Sequence, residues 1–116
     1  EAPCADCVEL PDEALPCKLA LADSLVTLDR EQLDRALASP ELAALVIKPT
    51  ILGGLARSFE LAQLAHRSGV APIVSHALEG PIAYAVLTEL ARGVAADVPV
   101  GLGPHPALDH FWEHVS

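Results

Sequence analysis

Apolar runs and helix-like patterns alternate along this chain of 116 residues. The apolar runs are short and rich in Leu, Val and Ile, which is typical of strands buried on both faces of a parallel sheet. They predict strands at residues 18–23, 45–47, 72–75 and 98–102. Between these strands, apolar residues at helical spacing predict helices at residues 29–38, 55–68 and 80–92.

The ends of the predicted strands recur at a nearly constant interval. They fall near Asp23, Lys48, Ser75 and Leu102, so that successive ends are 25, 27 and 27 residues apart. Alternation at this interval predicts βαβ units with a parallel sheet. Two architectures fit the pattern, namely a small doubly wound sheet and a segment of a (β/α) barrel.

The length of the chain bears on the choice between them. A complete barrel takes about 250 residues, so this chain has room for roughly half of one. Half a barrel exposes two edge strands and its inner face, and both favour association. The first residue is Glu1 and not Met. We therefore expect an excerpt of a longer protein, and the sequence leaves its oligomeric state open.

The predicted helices carry recognisable start and stop signals. Asp29 with Gln32 three residues later has the form of a capping box, and Gly69 is placed to end the second helix. In that helix, Leu55, Phe59 and Ala62 share one stripe. The helix at 80–92 is apolar almost all round, so we expect it to be heavily covered.

The stretch with the most distinctive chemistry is residues 45–54. An apolar run ends there at Lys48, Pro49 stops the strand, and Gly53 and Gly54 follow. A lysine at the carboxyl end of a barrel strand lies where barrel enzymes keep their catalytic groups. The alternative is a lysine whose stem packs against the strand while its ammonium stays in water. The spacing alone leaves both interpretations open.

Composition narrows the classes of partner. The chain is 52% apolar with a formal charge of −9, and it has no basic stripe to neutralise phosphates, which argues against nucleic acid. Its apolar runs are short and interrupted, so we expect neither a signal peptide nor a membrane span. The cysteines, Cys4, Cys7 and Cys17, are odd in number. A reduced cytoplasmic setting fits them best.

Acidic residues at strand ends raise the possibility of a metal site. In a parallel barrel the strand ends share one face, so Glu1, Asp23 and Lys48 can converge there. Two carboxylates suit a divalent cation such as Mg²⁺, and a nearby lysine can exchange a proton or offer positive charge. That set fits proton abstraction next to a carboxylate. The alternative is that Asp23 only caps the following helix and that Glu1 has no role in binding.

Four stretches resemble one known family. They are Glu1-Ala-Pro-Cys4, Leu-Ala-Leu-Ala-Asp23, Val-Ile-Lys48-Pro-Thr-Ile-Leu-Gly-Gly54 and Ile-Val-Ser75-His-Ala-Leu-Glu-Gly-Pro81. Together they look like the C-terminal part of an enolase-superfamily protein of the muconate-lactonizing subgroup, and best of all like the o-succinylbenzoate synthase family. The resemblance implies an α/β fold, the C-terminal half of a TIM-type (β/α)7β barrel. Residues 1–116 would run from the end of its fourth strand through its eighth, without the N-terminal capping domain and the first half of the barrel.

The resemblance also implies roles for individual residues. Glu1 and Asp23 match two carboxylate ligands of Mg²⁺, although a shift of one residue would place Ala22 at the second position. Lys48 matches the catalytic lysine of the sixth barrel strand. The matched substrate-binding positions are Thr50, Gly53, Gly54, Ser75 and His76. The family's second-strand Lys-x-Lys pair and third-strand Asp ligand are not in this chain.

The resemblance implies a small-molecule carboxylate substrate and a lyase reaction. A succinyl-hydroxycyclohexadiene carboxylate would lose water to give o-succinylbenzoate, a step toward menaquinone. A racemase or epimerase of N-acyl amino acids or dipeptides on the same scaffold is a rival, because it too would use Lys48. A catalytically silent half barrel with a structural or binding role is a rival of another class. In every case we expect the 116 residues alone to be inactive.

Overall fold

The computed structural model describes residues 17–94 and 96–103 of the chain. The strands are β1 Leu19–Leu21, β2 Leu42–Ile47 and β3 Ala71–Val74, and they form one sheet in the order β1-β2-β3. Both strand pairs are parallel. The helices are α1 Arg30–Ala38, α2 Pro49–Leu52, α3 Leu55–Arg67 and α4 Pro81–Val94, and a 3₁₀ turn spans Asp23–Val26. The predicted α/β class, with alternating parallel strands and helices, is confirmed, and this arrangement is that of part of a (β/α) barrel.

The core lies between one face of the sheet and the helices. Leu21 is paired with Leu45 in register, and Leu45 and Ile47 alternate onto the same face of β2. All three are fully buried, in a cluster that also contains Leu33 of α1 and Leu61 of α3. Burying an aliphatic side chain of this size contributes about 1.5–3 kcal/mol. The helices are therefore held on this face by apolar contact.

The local signals at helix ends act as predicted. The Asp29 carboxylate accepts a hydrogen bond from the Gln32 N–H at 2.8 Å, and the Asp29 N–H donates to the Gln32 side chain at 2.9 Å. This completes a capping box at the start of α1. At the end of α3, Gly69 has a φ of 73°, the left-handed conformation that glycine adopts without steric cost.

One predicted strand is shorter in the structure, and another is reduced to a single bridge. The strand predicted at 18–23 ends at Leu21, and Asp23 begins the 3₁₀ turn. At 98–102 the described residues form no strand, only a single parallel bridge between Ser75 and Gly101. Pro99, two residues before Gly101, lacks an N–H, so a regular ladder cannot continue through it.

The expectation that the helix at 80–92 is heavily covered is wrong for the described residues. In α4 only Leu87 and Ala91 are buried, while Ile82 is 82% exposed. On α3, Leu55 and Phe59 are also exposed, and the buried face holds Ser58 and Leu61 among others. Apolar composition alone therefore did not show which face of either helix is covered.

None of the helices in the described part of the chain combines the length and the hydropathy that a membrane span requires.

Candidate active site

Three of the candidate residues lie at the same edge of the sheet. Asp23 follows β1, Lys48 follows β2, and Ser75 follows β3, each within two residues of the end of its strand. Since the strands are parallel, their carboxyl ends share one edge. In parallel α/β folds this edge is where ligands bind and where loops carry reactive groups. The candidate site is built on this edge.

Lys48 and Asp23 are brought together there. The Lys48 Nζ donates to Asp23 Oδ1 at 2.7 Å, although the two residues are 25 positions apart. The lysine side chain is 23% exposed and the aspartate side chain 57% exposed. The ammonium is therefore held at the strand edge with its stem largely covered, and it faces a carboxylate that solvent can reach. The covered stem is common to both interpretations of Lys48, and the ion pair with Asp23 is what the structure adds to them.

The turn after Lys48 is compact and depends on two glycines. Pro49 begins the four-residue helix α2, and Gly53 ends it with a φ of 96°. Gly54 has a φ of 108°, and its N–H donates to the Pro49 carbonyl at 2.8 Å. A Cβ at either glycine would meet nothing within 4 Å, so the backbone conformation and not space requires glycine. The sequence showed the glycines but did not predict α2.

Buried Ser58 fastens that turn to α3. Ser58 is 1% exposed, and its hydroxyl donates to the Gly54 carbonyl at 2.8 Å. The hydroxyl is thereby satisfied although buried, and it shares the Gly54 carbonyl with the Ser58 N–H, which donates to it at 3.2 Å. Nothing in the sequence pattern singled Ser58 out, because a serine in the middle of a helical segment usually faces solvent.

Ser75 and His76 follow β3, and Ser75 connects this segment to distant parts of the chain. The Ser75 N–H donates to the Ile47 carbonyl at 2.8 Å, and its hydroxyl donates to the Gly101 carbonyl at 3.0 Å. A Cβ on Gly101 would lie 2.7 Å from the Ser75 oxygen, so this close approach requires glycine. His76 Nδ1 accepts from the Leu78 N–H at 3.2 Å, and its ring centroid lies 6.3 Å from that of Tyr84.

Glu79 is a residue of the site to which the sequence reasoning gave no role. Its Oε1 accepts from the Thr50 hydroxyl at 2.6 Å, and its Oε2 accepts from the Ala77 N–H at 2.6 Å. Partial burial raises the pKa of Glu79, but the hydrogen bonds from Thr50 and the backbone, with the nearby His76, lower that pKa by more. Its net pKa is therefore below the usual range. The signal available was its place in the Ser-His-Ala-Leu-Glu-Gly-Pro stretch.

The described residues contain no complete set of metal ligands. No group of three or more His, Cys, Asp or Glu side chains within residues 17–94 and 96–103 is placed to hold an ion. Asp23 fits as one oxygen ligand, since it is a solvent-accessible carboxylate at the strand edge. Glu1, the other predicted ligand, lies outside the described residues. Ala22, the alternative position, has no donor atom in its side chain.

The sequence was compared with protein families and with curated proteins. No protein-family model matches the chain. It is 38% identical over 110 residues to the o-succinylbenzoate synthase of Yersinia pestis (strain Pestoides F), and that match covers 94% of this chain and 31% of the relative. The synthase of Yersinia pseudotuberculosis serotype O:3 (strain YPIII) is 37% identical over the same shares. The chain thus spans about a third of the length of the curated relatives it matches, and along almost all of its own length it is similar to o-succinylbenzoate synthases.

Proposed function

We propose that this chain is the C-terminal half of the barrel of an o-succinylbenzoate synthase-like lyase. The similarity over 94% of the chain and the alternation of parallel strands and helices support this proposal. In the complete enzyme, a succinyl-hydroxycyclohexadiene carboxylate would lose water to give o-succinylbenzoate in menaquinone biosynthesis. The odd number of cysteines fits an enzyme of the reducing cytoplasm.

The observation that carries the proposal is the position of Lys48. Its ammonium lies at the carboxyl end of β2 and is held 2.7 Å from Asp23. Removing a proton next to a carboxylate builds up negative charge, and a fixed cation in a partly dry site stabilises that charge more than water does. Lys48 would supply this cation. Asp23 would orient it, because a charged hydrogen bond fixes the direction of a flexible lysine.

The other candidate residues would bind the substrate and Mg²⁺. Asp23, together with Glu1, would provide carboxylate oxygens for the ion, whose positive charge, when it is bound, favours the anionic form of the substrate. The Gly53-Gly54 turn and the loop with Ser75 and His76 would surround the side-chain carboxylate of the substrate. These assignments follow from the family resemblance and from their common position at the strand edge.

A product assay on the full-length protein tests the proposal. With Mg²⁺ present, we expect dehydration to o-succinylbenzoate, which is detected by the absorbance of the aromatic product. Chelation of the metal should abolish this activity. Racemisation of N-acyl amino acids or dipeptides without dehydration would replace the proposal by the epimerase alternative. A protein that is folded and inactive on both substrates would indicate the structural or binding alternative.

A further inference from the structure

Glu79 joins two loops of the candidate site through both oxygens of its carboxylate. Thr50, in α2 just after β2, donates to one oxygen at 2.6 Å. Ala77, in the loop after β3, donates its N–H to the other oxygen at 2.6 Å. Thr50 is two residues from Lys48, and Ala77 is two residues from Ser75. The carboxylate thus bridges the segment that carries the lysine and the segment that carries the loop.

The backbone next to Glu79 is strained. Leu78 has a φ of 63°, the left-handed conformation, which a bulky side chain rarely adopts. Leu78 is 55% exposed, so burial of its side chain does not account for the conformation. Two hydrogen bonds hold the backbone in this conformation. The Ala77 N–H donates to Glu79, and the Leu78 N–H donates to His76. Strain of this kind persists where the surrounding structure imposes it, often at functional sites.

The charge state of Glu79 suits a bridging role. The hydrogen bonds from Thr50 and the backbone outweigh the effect of burial and lower its pKa, so the group is an ionised acceptor near neutral pH. Hydrogen bonds to a carboxylate are shorter and stronger than those between neutral groups. Thr50 uses its only side-chain proton in this contact, which leaves its oxygen as an acceptor only.

We propose that Glu79 is a positioning residue that ties the loop of residues 75–80 to the turn after Lys48. By binding both segments, Glu79 fixes the position of the loop relative to Lys48. This position determines the width of the pocket that receives the side-chain carboxylate of the substrate. Glu79 itself contacts no reacting atom in this scheme. The inference rests on the proposed function for its kinetic test, although the contacts that carry it are independent of that function.

A double-mutant cycle in the full-length protein tests the bridge. For Glu79→Ala and for Thr50→Val we expect KM to rise about tenfold, the order associated with loss of a charge-assisted hydrogen bond, while kcat stays within about threefold. The KM of the double variant should be no higher than that of Glu79→Ala, because both changes remove the same hydrogen bond. Glu79→Gln should restore much of the loss, because an amide can accept from Ala77 and donate to the Thr50 oxygen.

The matched control is Glu60→Ala on α3, whose exposed carboxylate contacts Arg57 at 3.8 Å. This variant should keep the wild-type KM. Additive effects of Thr50→Val and Glu79→Ala would mean that Thr50 acts on the substrate alone, and they would overturn the bridge. A folded Glu79→Ala variant with the wild-type KM would overturn it as well.

A second readout separates this inference from the proposed function. If the wild-type protein forms no o-succinylbenzoate, the proposed function fails, and hydrogen exchange at the Ala77 amide then decides on the bridge. Thr50→Val should speed this exchange, because Glu79 loses the partner that fixes its carboxylate against Ala77. Unchanged exchange in that variant would overturn the bridge without any reference to activity.

Discussion

At the scale of single residues, the contact between Asp23 and Lys48 contributes little to the free energy of unfolding. The pair is partly exposed, and exposed ion pairs contribute about 0–1 kcal/mol once solvent screening and side-chain entropy are counted. Folding therefore does not depend on this pair, and the proposed function is what gives its position at the carboxyl ends of two neighbouring strands a role.

Replacing Asp23 by Asn tests this view. We expect Asp23→Asn in the full-length protein to lower the free energy of unfolding by less than about 1 kcal/mol, and to reduce turnover strongly. Asp34→Asn is the matched control, since Asp34 forms an exposed pair with Arg30 at 3.0 Å on α1. It should have an equally small effect on stability and none on turnover. A loss of several kcal/mol in Asp23→Asn alone would assign the pair to folding.

Glu79 should give the protein a dependence of stability on acid. Folding lowers its pKa, so its contribution is present above the unfolded pKa and is lost as the pH falls through the lower folded pKa. In Glu79→Gln, the decrease in unfolding free energy between about pH 5 and pH 3 should be shallower, around the usual Glu pKa of about 4.3. Denaturant melts across this range measure the slope. A slope identical to that of the wild type would contradict the assignment.

At the scale of elements, local sequence signals correctly predicted where helices begin and end. The pattern of apolar residues did not predict which helix faces are buried. The capping box at Asp29 and the stop at Gly69 depend only on neighbouring residues, and both were predicted correctly. The exposure of Ile82 depends on which elements lie against α4, and an apolar pattern does not contain that information. The contact of Thr50 with Glu79 joins residues 29 positions apart, so periodicity could not reveal it.

The turn after Lys48 allows a test with a built-in control. Gly53 and Gly69 both have a positive φ, and a Cβ at either one meets nothing within 4 Å. We expect Gly53→Ala and Gly69→Ala each to cost about 1 kcal/mol of stability, from backbone strain alone. Only Gly53→Ala should also alter the kinetics, because Gly53 ends the helix that carries Thr50. Equal kinetics in both variants would show that this turn does not shape the pocket.

At the scale of the whole molecule, the feature that matters most is how the two edges of the sheet are paired. Within the described residues, β1 is paired only with β2, and beyond β3 there is only the bridge from Ser75 to Gly101. Open strand edges pair with other chains unless they are covered. In a closed barrel, further strands would cover both edges. That the chain spans about a third of its relatives' length agrees with this requirement.

The 116 residues expressed alone should therefore associate or pack loosely. We expect dimers, larger species or a broad thermal transition at micromolar concentration, since the open edges and exposed apolar side chains such as Ile82 have no cover within the described residues. Light scattering coupled to size exclusion, together with calorimetry, measures both properties. A monomer with a sharp two-state melt would contradict the partial-barrel account.

The most direct test of the account is the steady-state kinetics of Lys48→Ala in the full-length protein. We expect kcat to fall about 10²–10³-fold with little change in the thermal melt, because the variant removes a cation that stabilises developing charge. Lys48→Arg should not restore activity, since the planar guanidinium is larger and keeps its proton. Lys18→Ala, at an exposed lysine that contacts the Pro40 carbonyl at 2.6 Å, should retain wild-type turnover. A folded Lys48→Ala variant with near-wild-type turnover would contradict the account.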